Sequence, residues 1–354
     1  MQEETKHIDL FNATPSSERL EVRVAFVDFW QKIDLDNFIL MKALRQHHEV
    51  VLCDMAEADY VFFSVFGDEH WFAPERAVKI FYTGENCTPD FNACDYAFGF
   101  DHLSLGDRYM RLPNYYCTPR FLQTTLLMEQ KHQLPKGFDL HREKPDFCSF
   151  VVSNGDANPI RQQFFELLSK YKRVDSGGRF MNNIGGSVDD KTAFDARHRF
   201  AITFENSSTP GYTTEKIVDA FAARCVPIYW GDPDISKVFN PKAFINVRDF
   251  DSLEAVARRV VALDSDDTAL LAMLREPALL DTAMCYENVF AQVVAMLDRI
   301  TGQPLVNVYR RNRDFWGKKY AKREQHLILQ SRKDWKTLLR ETFFNKFHIK
   351  DSKS

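Results

Sequence analysis

No run of about 18 apolar residues occurs in this sequence, so nothing in it predicts a helix that crosses a bilayer. No CxxC pair occurs either. The seven cysteines, at positions 53, 87, 94, 117, 148, 225 and 285, are odd in number and scattered, which argues against a zinc ribbon or a disulfide frame and fits reduced thiols in a cytosol. The first 18 residues, MQEETKHIDLFNATPSSE, lack the basic-then-apolar order of a secretory signal, so export is not expected. The G-x-G-x-x-G fingerprint is missing as well. Gly177, Gly178, Gly185 and Gly186 cluster without that spacing, which disfavours a dinucleotide-dependent dehydrogenase. The ten histidines show no metal-ligand spacing beyond the adjacent His47 and His48, and neighbours in a regular element point to different sides. No repeat of fixed period is visible.

Positive charge is outweighed by negative in the body of the chain. Residues 308–354 carry 14 Lys or Arg against 5 Asp or Glu, while the preceding 307 residues hold 32 against 45, within a net charge of −4. An acidic body excludes a general nucleic-acid binder, which needs a basic face on its main domain. The tail RKDWKTLLRETFFNKFHIK spaces Trp335, Leu339, Phe343 and Phe347 four apart among basic residues. That pattern suits an interfacial helix on an anionic membrane, and also a helix packed back on the first domain.

What remains is a globular composition, 45% hydrophobic and 27% charged, over 354 residues, enough for two domains of ordinary size with a cleft between them. Apolar runs at 22–30, 60–66, 79–83 and 96–100 form a first β/α series. Runs at 146–154, 199–206, 226–231 and 243–247 form a second. Continuous rather than alternating hydrophobicity predicts parallel strands covered on both faces, hence two doubly wound α/β domains. The polar stretch KHQLPKGFDLHREKPD divides them. The expected division is 1–140, 141–305 and a helical tail at 306–354.

In such folds ligands sit beyond the carboxyl ends of strands, where loops enter helices. Three places of this kind carry unusual polar residues. In FYTGEN, Glu85 follows a strand on the turn at Gly84, placed as a general base facing the cleft or as a solvated loop acid. In SNGDANPIR, Asn158 suits an N-cap and Pro159 the first helical position, so Arg161 falls in the first turn. In FENSSTPGYTTEKIVDAF, Thr213 or Thr214 caps a helix whose buried stripe is Ile217, Ala220 and Phe221, which leaves Glu215 on the opposite face. A cation in a first turn opposes the helix dipole unless an anion is present. Arg161 and Lys216 therefore make sense together around a diphosphate at two helix ends, although each alone could be a solvated surface cation. Glu215 is also a good first-turn acid without any catalytic role. GDPD at 231–234 reads as a turn with a capping Asp more readily than as a metal-nucleotide site.

FENSSTPGYTTEKIVDAF with CVPIYWGDPDI resembles the donor-site motif of the α1,3/4-fucosyltransferases, and YTGENCTPDFNACDYAFGFD resembles their N-terminal-domain motif. The likeness runs over about residues 60–300 and is nearer the bacterial branch than the animal Golgi enzymes. It implies a GT-B architecture of two Rossmann-like domains, with the acceptor on the first and GDP-fucose on the second. It implies inverting transfer of fucose to GlcNAc in N-acetyllactosamine-type or lipopolysaccharide-like glycans, in an α1,3 or α1,4 linkage. Glu85 corresponds to the general base, Arg161 and Lys216 to the diphosphate-binding cations, and Glu215 to a carboxylate near the fucose ring. Asn206 and Tyr212 fall on donor-pocket positions. No metal is required in the family, although divalent ions stimulate some members. The heptad repeats of many bacterial relatives and the C-terminal cysteine motif of the animal enzymes are missing here, which leaves the oligomeric state open. A cytoplasmic location, peripheral to the membrane through the basic tail, is expected. Other readings are a GT-B enzyme with another nucleotide-sugar donor, and a non-catalytic nucleotide- or glycan-binding module.

Overall fold

The computed structural model describes residues 20–30, 33–117, 134–281, 284–311 and 314–348, with the side chains of the last helix described to residue 335. The leader reading of residues 1–18 and the side chains of Leu339, Phe343 and Phe347 lie outside that range. Eleven strands form two sheets among the described residues. The first holds β1 (Leu20–Val27), β2 (His48–Leu52), β3 (Tyr60–Phe63), β4 (Val78–Tyr82), β5 (Tyr96–Gly99) and β6 (Tyr109–Arg111), in the order 2-1-3-4-5-6. The second holds β7 (Asp146–Phe150), β8 (Val174–Ser176), β9 (His198–Phe204), β10 (Val226–Trp230) and β11 (Ile245–Asn246), in the order 11-10-9-7-8. All neighbouring pairs are parallel.

Every residue of β3, β4, β5 and β9 is buried. This is the two-faced burial that their unbroken apolar runs predict. The three strands that the apolar runs do not reveal, β2, β6 and β8, are all at sheet edges. These three are short and less completely buried than the central strands, so no long two-sided apolar run marks them. Helix α1 (Ile39–His47) starts after Phe38, which supplies no side-chain cap. The other helices are α2 (Leu140–Glu143), α3 (Ile160–Ser169), α4 (Lys191–Ala196), α5 (Glu215–Ala222), α6 (Leu253–Asp264), α7 (Asp267–Arg275), α8 (Tyr286–Thr301), α9 (Leu305–Val308) and α10 (Phe315–His348).

The chain returns to the first lobe before the boundary that the sequence suggests at 305. Helix α8 packs on α1. His47 Nδ1 lies 2.7 Å and His48 Nε2 3.0 Å from the two carboxylate oxygens of Asp298. The two histidines do not diverge as expected, because they straddle the junction of α1 and β2 rather than sharing one regular element. Beyond α9, Arg310 and Arg311 fasten to Asp107 and to the fully buried Asp95. Helix α10 then runs along the first lobe through Lys318–Glu75, Gln325 to the Trp71 carbonyl, and Arg332 to Asp68 and Glu69. Its described part is therefore the packed-back helix, with Trp335 still 63% exposed.

One turn in the first lobe makes its own prediction. Asp28, just past β1, holds φ of 58° and accepts hydrogen bonds from the Glu69 and His70 amides and from His70 Nδ1 at 2.7–3.0 Å. Burial alone would raise its pKa, but the His70 donors override that and hold the carboxyl below its usual value. Asn tolerates the same left-handed backbone and is a poorer acceptor. Asp28→Asn is expected to lower stability by about 1–3 kcal/mol in chemical denaturation at neutral pH. The stability linked to ionisation of Asp28 is fully present above the ordinary carboxylate range and is lost as pH falls through the lowered value, so the gap between variant and parent should narrow in acid.

Candidate active site

The order 11-10-9-7-8 places a switch point between β7 and β9, since the chain leaves β7 toward β8 on one side and comes back to β9 on the other. The loops after these two strands diverge there and open a crevice. The two cation-bearing stretches, SNGDANPIR and FENSSTPGYTTEK, start from it.

After β7, Asn158 Oδ1 accepts the Ile160 amide at 3.1 Å and so starts α3. Arg161 follows in the first turn and is 2% exposed, which overturns the reading of a solvated cation. Its guanidinium donates to the Phe204 carbonyl at 3.1 Å, to Asn206 Oδ1 at 2.5 Å and to the Asn154 carbonyl at 3.3 Å. Its Nε is buried with no partner among the described residues. Burial draws the Arg161 pKa below its usual range, against the pull of Glu205.

After β9 comes Glu205, which the sequence reading passed over. It is fully buried. Its carboxylate accepts the Thr214 amide at 2.8 Å, the Thr214 hydroxyl at 2.7 Å and Lys216 Nζ at 2.9 Å. Thr214 thus sits at the N-cap of α5 but spends its hydroxyl on Glu205, making no side-chain cap. Thr213 donates to Asp232 instead. The anion that answers Lys216 in its first turn is therefore in the first instance Glu205. Burial would lower the Lys216 pKa, yet Glu205 and then Glu215 raise it above its usual value. The signal was present in the sequence, as an acid that directly follows the apolar run of β9, one place before Asn206.

Glu215 leads α5 at the first turn, partly exposed as its helical phase requires, with Lys216 Nζ 3.9 Å from its Oε1. Burial would raise its pKa, but Lys216 and its own backbone amide override that, so it is a carboxylate at neutral pH. Asp232 of GDPD accepts the Gly211 and Asp234 amides, both at 2.8 Å, which is the capping role expected of it. Among the described residues no three His, Cys, Asp or Glu side chains converge as a metal site requires.

The first lobe closes on these loops at several points. Asn86 Nδ2 donates to the Ser207 and Thr209 hydroxyls, both at 2.7 Å. Tyr212, which the family resemblance puts at the donor pocket, is 3% exposed and meets Phe100 of the first lobe edge-on at 5.1 Å. Gly211 has φ of +84°, and a Cβ there would lie 2.4 Å from the Phe100 carbonyl, so only glycine allows this approach. The Arg111 guanidinium bridges the Phe100 and Gly211 carbonyls. At Gly84 a Cβ would press on the Asn114 side-chain amide at 2.8 Å, while Asn114 accepts the Tyr82 hydroxyl at 2.8 Å.

Glu85 sits between Gly84 and Asn86, exposed, with its amide bonded to the Thr83 hydroxyl at 3.1 Å. Among the described residues its carboxylate makes no hydrogen bond or ion pair. Tyr212 records how the acids gather: after burial, Glu205, Glu85 and Glu215 in turn push its phenol pKa up. The structure therefore brings Glu85, Glu215, Arg161, Lys216, Asn206 and Tyr212 into one neighbourhood and adds Glu205 and Asn86. Asn86→Ala should cost no more than about 1 kcal/mol of stability, since both hydrogen bonds are exposed. Its turnover should fall several-fold because the Glu85 loop loses its tie to the second lobe, and steady-state rates beside a melting curve would check this.

Two parallel α/β lobes that face each other, with first-turn cations on one and an acid-bearing loop of the other closed over them, define a glycosyltransferase of the GT-B class. Residues 24–118 match the alpha-(1,3)-fucosyltransferase FucT N-terminal domain, and residues 141–275 match the C-terminal part of glycosyltransferase family 10 (fucosyltransferase). The alpha-(1,3)-fucosyltransferase FucT of Helicobacter pylori is 34% identical over 314 residues, spanning 79% of this chain and 66% of that protein. The crystal structure of an alpha1,3-fucosyltransferase superposes with a TM-score of 0.71 at 30% identity, covering 85% of this chain and 95% of that one. A crystal structure of alpha1,3-fucosyltransferase with GDP-fucose gives 0.66 at 31% identity, covering 82% and 93%. The chain belongs to glycosyltransferase family 10, the fucosyltransferases. It spans slightly less than two thirds of the Helicobacter pylori relative's length.

Proposed function

We propose that this protein transfers L-fucose from GDP-β-L-fucose to a GlcNAc hydroxyl of N-acetyllactosamine-type glycans, inverting the anomeric centre to form an α1,3 or α1,4 linkage. The observation that carries the reading is the pairing of Arg161 and Lys216 at two helix starts of one switch point, with the Glu85 loop tied over them by Asn86. In the reaction the acceptor oxygen forms a bond to fucose C1 while the bond from C1 to the β-phosphate oxygen breaks. The acceptor proton passes to Glu85, and the electron pair leaves with GDP. A nucleoside diphosphate needs positive charge rather than an acid to depart, and Arg161, Lys216 and the helix-start amides supply it. Glu215, ionised beside Lys216, stabilises the developing oxocarbenium, and Asn206 and Tyr212 shape the donor pocket. These cations take the part that a divalent ion plays in other enzymes that use nucleotide sugars, so no metal is required, and EDTA should leave most of the activity while added divalent ions raise it modestly.

The decisive experiment offers GDP-fucose with lactose, N-acetyllactosamine and its type 1 isomer, and reads the linkage by NMR. Fucosylated product on any of them supports the reading. Turnover of UDP- or ADP-sugars in preference to GDP-fucose would replace it with the other-donor alternative, and GDP binding without any transfer would leave a binding module. Among the described residues no helix is long and apolar enough to cross a membrane. A cytoplasmic enzyme held at an anionic membrane face is part of this proposal, supported by the exposed Trp335 and the one-sided charge of the tail. Deleting residues 336–354 should abolish flotation with anionic vesicles while sparing transfer to soluble lactose.

A further inference from the structure

Strand β4 alternates: Val78, Ile80 and Tyr82 enter the main core of the first lobe, while Phe81 joins a smaller cluster with Phe63 and Trp71 on the other face. Lys79 points to that second face. It is only 4% exposed, its Nζ lies 5.5 Å from the centre of the Trp71 ring, and among the described residues that ammonium makes no hydrogen bond or ion pair. The nearest buried acid is already committed. Asp95 accepts the Lys79, Arg310 and Arg311 amides and the Arg311 guanidinium.

Nζ opens instead into a cavity of about 300 Å³ under helix α10, lined by Trp71, Lys79, Tyr309, Arg311, Lys318 and Lys322 among others. One acid, Glu75, shares the lining and is paired with Lys318 at 3.1 Å. Lys322 is exposed and has no partner among the described residues. Burial, and then the Arg311 charge, draw the Lys79 pKa down to about 7. Buried in this way the amine is readily neutralised, and a bound anion would hold it charged. Lys79 stands near the start of β4 and Glu85 on the turn beyond its end, six residues on, so the cavity and the transfer site lie toward opposite ends of that strand, at most about 20 Å apart along the chain.

We infer that the cavity under α10 is a second ligand site, which takes a phosphorylated saccharide with its phosphate between Lys79 and Lys322 and its ring against Trp71. Trp and Tyr offer apolar faces to sugar rings, and two ammonium groups with one acid already paired suit a dianion. The volume is at the small end for ligand pockets and matches a single sugar phosphate. The inference does not depend on the donor chemistry. The ligand could be free in solution or the headgroup of a lipid, and both present the same phosphate.

The test uses the full chain with its transfer site saturated by GDP. Calorimetry with glucose 6-phosphate should show binding, and glucose should show none. Lys79→Met and Lys322→Glu should each weaken binding by about ten- to a hundredfold, the loss of a charge-assisted hydrogen bond. Lys322 is exposed, so its variant keeps the test valid should Lys79→Met misfold. For the lipid source, phosphatidylcholine vesicles with and without phosphatidylinositol 4-phosphate are compared between parent and Lys322→Glu, both of which retain the distal tail. A phosphate-dependent difference between them marks a lipid headgroup, and binding of glucose 6-phosphate alone marks a free ligand. Equal heats for glucose and its phosphate, unchanged affinity in both variants, or displacement of the sugar phosphate by GDP would overturn the inference.

Discussion

Glu85→Gln is expected to lower fucosyl transfer by about 10²- to 10⁴-fold, the range for loss of a general base. GDP affinity should stay within about twofold, because no interaction with the diphosphate is assigned to this side chain. Two features make the substitution a clean probe. The Glu85 carboxylate accepts no hydrogen bond from any described residue, so an amide of the same shape removes basicity without breaking a contact. The loop is held by its neighbours, namely Gly84 against Asn114, the Thr83 hydroxyl on the Glu85 amide, and Asn86 across to Ser207 and Thr209. Stability should therefore change by no more than about 0.5 kcal/mol. Transfer assays beside GDP titration and a denaturation curve measure all three quantities. Near-normal turnover in the variant would remove Glu85 from the mechanism and return it to a solvated loop acid.

Lys216→Met should lower transfer by about 10²- to 10³-fold through loss of charge on the departing diphosphate. It should also destabilise the fold by about 3 kcal/mol, because Glu205 is then left buried with only the Thr214 donors and the more distant Arg161 charge. These two effects can be separated. In the double variant Lys216→Met, Glu205→Gln the buried site is neutral again, and stability should return to within about 1 kcal/mol of the parent while transfer stays low. A double variant that recovers both would mean that Lys216 acts only as the counter-ion of Glu205. A single variant of full stability would mean that Glu205 is held by Thr214 alone. Either outcome is visible by pairing denaturation with initial rates.

The sequence made the two-lobed α/β architecture legible because central parallel strands carry apolar residues on both faces, and runs such as YVFF or HRFAITF state that locally. It showed Arg161, Glu215 and Lys216 in first turns because capping residues and helical phase are local as well. It did not show β2, β6 and β8, which are short and less completely buried than the central strands, or the return of α8 to α1 through Asp298 and the two adjacent histidines. Glu205 escaped because an acid after a strand reads the same whether it is solvated or fully buried. Its burial follows only from the packing of α5 against the strand end.

By itself, then, the chain determined which segments become strands and helices, which polar groups stand at helix entrances, and that acids outnumber cations in its body. Tertiary structure alone decided that Lys216 is met by Glu205, that Asn86 ties Glu85 to a loop more than a hundred residues away, and that the basic helix lies along the first lobe over a buried Lys79. The physical reason is range. Backbone periodicity and capping are set by neighbours within about a turn, whereas the partner of a buried charge is whichever group the packed lobes bring within about 3 Å, and no local pattern records that distance.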